Sequence, residues 1–146
     1  MRDGIGGGRM TRGGTNPRRA NGTQRNHARA AVRQRGEPCW ICGLPVDHSL
    51  PRMDPCEFVV DELEPVSRGG SPYRAGNLAT AHRCCNGWRS ARSVEYVERV
   101  RAEVLAAFGG WSCPQDFVAK AKAVERARRS GGAPVSLAPP RTTTDW

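Results

Sequence analysis

The chain has 146 residues, 38% of them apolar and 6% aromatic, with 17 Gly and 11 Pro. That composition allows one small domain with a modest core, a size class that usually relies on a metal or disulfides. A formal charge of +9 favours an acidic polymer as partner. No apolar run is long enough to suggest a signal sequence or a membrane span.

The charge is unevenly placed. Residues 1–36 carry nine Arg against one acid, Asp3, for +8, so the remaining 110 residues carry +1 (9 − 8). Those first 36 residues also hold eight Gly and almost no apolar periodicity. They read as a disordered basic arm with at most a nascent helix near 27–35. Such an arm adds salt-sensitive, sequence-independent affinity for nucleic acid.

Residues 37–92 form the informative block. "CWICGLPV" reads as a turn carrying two cysteines, followed by a Pro/Asp-rich loop. "EFVVDEL" is β-branched and apolar enough to be a strand. "PVSRGGSPYRAG" is a long loop punctuated by turn residues, "NLATAH" a short second strand, and "RCCNGWRS" the start of a helix. Residues 93–130 read as a helical extension. Val94, Val97, Val100, Val104, Leu105 and Phe108 recur at helical spacing and stop at Gly109-Gly110. A second helix runs from about Pro114 to Arg129 with Phe117, Val118, Ala121 and Val124 as its stripe. Both stripes are core packing and carry no chemistry. Residues 131–146 read as a flexible tail.

Six cysteines in a chain read as cytoplasmic point to metal before disulfide. Cys39 and Cys42 form a C-x2-C pair; His82 and Cys85 form an H-x2-C pair, with 39 residues between the two. Soft thiolates and an imidazole at that spacing close a tetrahedral Zn²⁺ site from two knuckles. Cys84 is adjacent and is the alternative fourth ligand, although x2 spacing favours Cys85. Four-ligand zinc is structural, so any chemistry lies elsewhere. Cys56 and Cys113 lack partners in sequence, and His27 and His48 read as arm and loop residues.

The order of Cys39/Cys42, "VDELEPVSRGG", "GNLATAH" and "CNGWR" resembles the HNH endonucleases of the ββα-metal fold, over about residues 37–90. Their pattern is C-x2-C, then D-H-x-x-P-x-S-x-G-G, then N-L, a second zinc pair and a His or Asn. The likeness is greatest to the phage and actinobacterial members. It implies a small α+β fold: a zinc-stapled ββα-metal core with C-terminal helices. It implies a phosphodiester hydrolase acting on double-stranded DNA, in a phage setting beside the terminase of DNA packaging.

Position by position, Asp61 matches the family's metal-binding Asp and Asn86 its other metal ligand. Asn77 matches the middle Asn that braces the loop. A hard ion such as Mg²⁺ suits oxygen donors of this kind. The departure is Glu62, where the family has His as general base. Glu62 either takes that role as a weaker base or joins Asp61 on the metal. Arg83, Arg89 and Arg92, near the helix start, suit phosphate contacts. Two other readings stay open: a non-catalytic zinc-stapled DNA-binding accessory protein, favoured by loss of the basic histidine, and an RNA-binding protein, favoured by the Arg/Gly arm.

Overall fold

The computed structural model describes residues 17–131, with side chains described from residue 22. Within that range the protein is a small α+β fold: four helices and a two-stranded antiparallel sheet. Helix α1 spans Pro17–Gln34, strand β1 Phe58–Glu62 and strand β2 Leu78–His82. Helices α2, α3 and α4 follow at Arg83–Arg89, Val94–Phe108 and Pro114–Arg129. Strands and C-terminal helices stand where the β-branched runs and the helical periodicities put them. The arm over 1–16 and the tail beyond 131 lie outside the described residues.

The strands pair in register with Phe58 opposite His82, Asp61 opposite Ala79 and Glu62 opposite Leu78. Successive strand residues face opposite sides, so the hairpin has two differently clothed faces. On one face Phe58 and Leu78 meet Val32 of α1, with Ala28, Val46 and Val60 around them. The other face belongs to the main core, in which Cys39, Ile41, Ala81, Cys85 and Trp88 pack against Val97, Val100, Val104, Phe117 and Ala121. The knuckle block and the C-terminal helices therefore share one core, and 93–130 is an integral half of the domain.

Residues 17–34 depart from the reading of an unstructured arm. Ala28 and Val32, one helical turn apart, give α1 a narrow apolar stripe that covers the sheet. Its arginines also act as structural donors. Arg29 Nη2 donates to Phe58 O at 3.3 Å and Arg33 Nη2 to His48 O at 2.6 Å. Just past the helix, Arg35 donates to Leu78 O at 3.2 Å and Ala75 O at 3.0 Å.

Helix boundaries have local causes. Ser93 caps α3 by accepting from Tyr96 N, and Gly109 ends it in the left-handed region at φ 74°. Pro114 opens α4, whose cap is the Cys113 sulfur. One expectation for α3 fails: Leu105 is 54% exposed, and Ala107 takes the buried place on that turn.

Candidate functional site

Cys39, Cys42, His82 and Cys85 converge from the turn before β1 and from the β2–α2 junction. Their ligand atoms all lie within 4.8 Å of one another, and all four residues are buried. The donor set fits a tetrahedral Zn²⁺, with three soft sulfurs and one ring nitrogen. Histidine orientation supports the fit. His82 Nδ1 faces Cys42 Sγ at 3.3 Å while Nε2 meets Pro45 O at 3.0 Å, the backbone anchor typical of ligating imidazoles. Burial tends to lower the His82 pKa, yet Cys39 and Cys42 outweigh it and push it up to about 10. Hydrogen bonds from Cys42 and Cys85 push the Cys39 thiol far below its ordinary range. Four groups contesting protons at this distance are groups whose protons a divalent ion displaces.

Neighbours brace the knuckles. Trp111 Nε1 donates to Cys42 O at 2.9 Å, and Arg101 Nη1 to Trp40 O at 2.6 Å and Ile41 O at 3.1 Å. Cys84 is half-buried and stands outside the cluster, so Cys85 supplies the fourth donor.

Asp61 is 7% exposed and lies on the core face of β1. Trp40 Nε1 donates to its Oδ2 at 2.9 Å, and Arg89 Nη1 to its Oδ1 at 2.8 Å. Burial raises the Asp61 pKa, against the opposing pull of Arg89 and Trp40. A carboxylate has about four lone-pair sites, so two donors leave room for a further partner.

Arg89 corrects one sequence expectation. It is 1% exposed and spends its donors inside the protein: on Asp61, on Glu62 O and Leu63 O at 2.6 Å each, and on Arg92 O at 2.8 Å. Its guanidinium also lies 5.3 Å from the Trp40 ring centroid. It is a structural cation and presents nothing to an external phosphate. Arg92 is also engaged, with Trp88 O and, at 3.0 Å, with Glu125. Arg83 pairs with Glu57 at 3.0 Å and keeps a partly exposed side chain.

Glu62 does not share Asp61's surroundings. As the next strand residue, paired with Leu78, it faces α1, where Arg25, Asn26, Arg29 and Pro72 line a cleft of about 370 Å³ with it. Its Oε2 accepts from Val66 N at 3.3 Å. The adjacent acids thus stand on opposite faces of the sheet, as the two-residue period requires.

Asn77 does hold the loop. Its Oδ1 accepts from Glu64 N at 2.8 Å, and its Nδ2 donates to Glu64 O and Ser71 O at 2.9 Å each. Gly70 passes so close that a Cβ there would sit 1.8 Å from Glu64 O, which explains a glycine at that place. Asn86 is half-buried on α2, and its side chain makes no hydrogen bond among the described residues.

Sequence reasoning missed Trp40 as the second donor to Asp61, the inward role of Arg89, and the α1 arginines beside Glu62. A tryptophan inside a C-x2-C turn is the one signal that pointed to Trp40. The chain matches no protein-family model, no curated protein and no solved structure. No helix among the described residues is long and apolar enough to cross a membrane.

Proposed function

We propose that this chain is a divalent-metal-dependent DNA endonuclease of the HNH type, built on a ββα-metal core with one structural zinc. The observation that carries the reading is a buried carboxylate, Asp61, on the strand that the three-cysteine, one-histidine cluster staples to α2, the helix bearing Asn86. Asp61 and the Asn86 carbonyl would hold the ion, with spare lone pairs on Asp61 and no competing bond at Asn86. A bound Mg²⁺ or similar ion supplies charge neutralisation at the scissile phosphate and at the leaving oxygen.

The chain's own residues orient that set. Trp40 and Arg89 fix the Asp61 carboxylate from two sides. Asn77 ties the following loop to the start of β2, so the strand end carrying Asp61 and Glu62 keeps its register. Glu62 takes no part in the ion's coordination in this reading, because it faces α1.

Zinc-loaded protein incubated with supercoiled plasmid in Mg²⁺, Mn²⁺ or Ni²⁺ tests the proposal. Nicking in at least one metal, lost in Asp61→Ala protein that retains its zinc, is the expected result. A second reading has its own observation: both Asp61 oxygens are already engaged by protein donors, as in a carboxylate kept for structure. Under that reading the chain is a zinc-stapled DNA-binding accessory protein. Tight plasmid binding without cleavage in all three metals would establish it.

A further inference from the structure

Five cations lie on α4, and their partners sort them into two groups. Lys120 pairs with Asp116 at 2.9 Å, and Arg128 pairs with Glu103. Lys122, Arg126 and Arg129 are exposed and make no hydrogen bond or ion pair among the described residues. These three recur at i, i+4 and i+7, which places them on one face of the helix. That face is one wall of a cleft of about 580 Å³ whose other wall is Gly87 and Trp88 of α2.

The cleft is cationic because its single carboxylate is spent. Glu125 is 6% exposed. Trp88 Nε1 donates to its Oε1 at 2.6 Å; Tyr96 OH donates to Oε2 at 2.6 Å, and Arg92 Nη2 meets the same oxygen at 3.0 Å. Arg92 pairs with Glu125 and the charge of Arg129 also acts on it, so four cations, Arg92, Lys122, Arg126 and Arg129, line the cleft against one carboxylate. A helix dipole favours cations in the last turn, which covers Arg126, Arg128 and Arg129 alike. It does not account for Lys122 or for the sorting by partner. Gly87 leaves its side of the cleft open, with nothing within 4 Å of a hypothetical Cβ.

We infer that the α2–α4 cleft is a nucleic-acid backbone site, in which Lys122, Arg126 and Arg129 contact successive phosphates. From Lys122 to Arg129 the helix rises roughly 10 Å, and one DNA strand offers a phosphate about every 3.4 Å of axis. The row therefore spans about three phosphates of a repeating polyanion. On α2, Asn86 lies well away around the helix from the arc of Gly87 and Trp88, so this contact is separate from the candidate metal-binding face and does not depend on cleavage.

The test is fluorescence anisotropy of the zinc-loaded full chain with a labelled 20-bp duplex across a salt series. The triple variant K122Q/R126Q/R129Q should lower the slope of log K against log salt by about 2 to 3, near 0.9 for each lost phosphate contact. Zinc content and circular dichroism should stay as in the parent. K120Q/R128Q, which removes the partnered cations of the same helix, should move the slope by less than about 1. If the triple variant unfolds, the single variants K122Q and R129Q carry the test, each lowering the slope by about 1. An unchanged slope, no binding by the parent, or equal losses in both multiple variants would overturn the inference. So would competition by polyglutamate at the same charge concentration as duplex, which would assign the cleft to an acidic protein instead. A parent that binds in this way but never cuts would defeat the nuclease reading and leave this site standing.

Discussion

Replacing Arg89 by Met should be among the most damaging single changes in this protein. The guanidinium is 1% exposed and holds four acceptors: Asp61 Oδ1 and the carbonyls of Glu62, Leu63 and Arg92. Methionine fills much of the volume but donates nothing, so a buried carboxylate keeps only Trp40 and three carbonyls lose their partner. Stranding one member of a buried ion pair costs about 3–5 kcal/mol. Each abandoned carbonyl adds part of a further ~1–3 kcal/mol, less whatever water enters to replace it. A net loss of about 4 kcal/mol is a large share of the ~5–15 kcal/mol that holds a domain together. Urea unfolding of zinc-loaded protein, at unchanged m, measures it. Arg89→Lys keeps the charge but not the planar fork and should fall between parent and Met. Asp61→Leu combined with Arg89→Met removes both charges and should cost less than the two single losses summed, by about 1–3 kcal/mol. A loss under about 1 kcal/mol for Arg89→Met, or strict additivity in the cycle, would show that the ion pair does not hold the strand end.

The remaining predictions concern the metal sites and pH. Purified protein should carry about one Zn²⁺ per chain, and Cys39→Ser or Cys85→Ser should lose both the zinc and the helical circular dichroism; full zinc in both variants by elemental analysis would name other ligands. Asn86→Ala should abolish divalent-dependent nicking with the fold kept. Asp61→Ala should abolish it too but, by stranding buried Arg89, should also lose stability as Arg89→Met does, so it is assayed at a temperature where circular dichroism shows it folded. Glu62→Ala, on the other face of the sheet, should lose far less than the ~10²–10⁴-fold that removal of a general base brings; a loss of that size would return Glu62 to the chemistry. Burial tends to raise the Glu125 pKa, but Tyr96, Trp88 and Arg92 outweigh it, so the net shift is downward from an ordinary value of 4.5. A lowered folded pKa contributes stability above the unfolded value that is lost as pH falls through the folded one. Glu125→Gln should therefore be less stable than the parent near neutrality and close the gap below pH about 4.5. A gap that stays constant in thermal melts across that range would refute the account.

Strands and C-terminal helices were legible because their signals are local and periodic. β-Branched residues mark β1, valines every three or four residues mark α3, and Ser93 and Gly109 punctuate it. The cluster of Cys39, Cys42, His82 and Cys85 was legible for a different reason: x2 spacing is a geometric constraint that survives without any knowledge of the fold. Helix α1 was obscured because only Ala28 and Val32 pack on the sheet amid five arginines, and nothing local distinguishes a solvated guanidinium from one that donates to a sheet carbonyl. Arg89 failed for the same reason. Its burial depends on residues 28 positions away, at Asp61 and beyond. Glu62 was placed beside Asp61 by adjacency in sequence, when alternation along a strand separates neighbours.

Trp40 lies inside the first knuckle, between Cys39 and Cys42, and its indole reaches Asp61. The cysteine–histidine cluster and the buried carboxylate are therefore joined by a single rigid side chain. With Zn²⁺ bound at the cluster such coupling would be reciprocal: whatever draws the carboxylate off the indole would change the hold on the ion by the same free energy that the ion contributes to orienting the carboxylate. The Trp40 indole proton, resolved by NMR from those of the other three tryptophans, would report on both events.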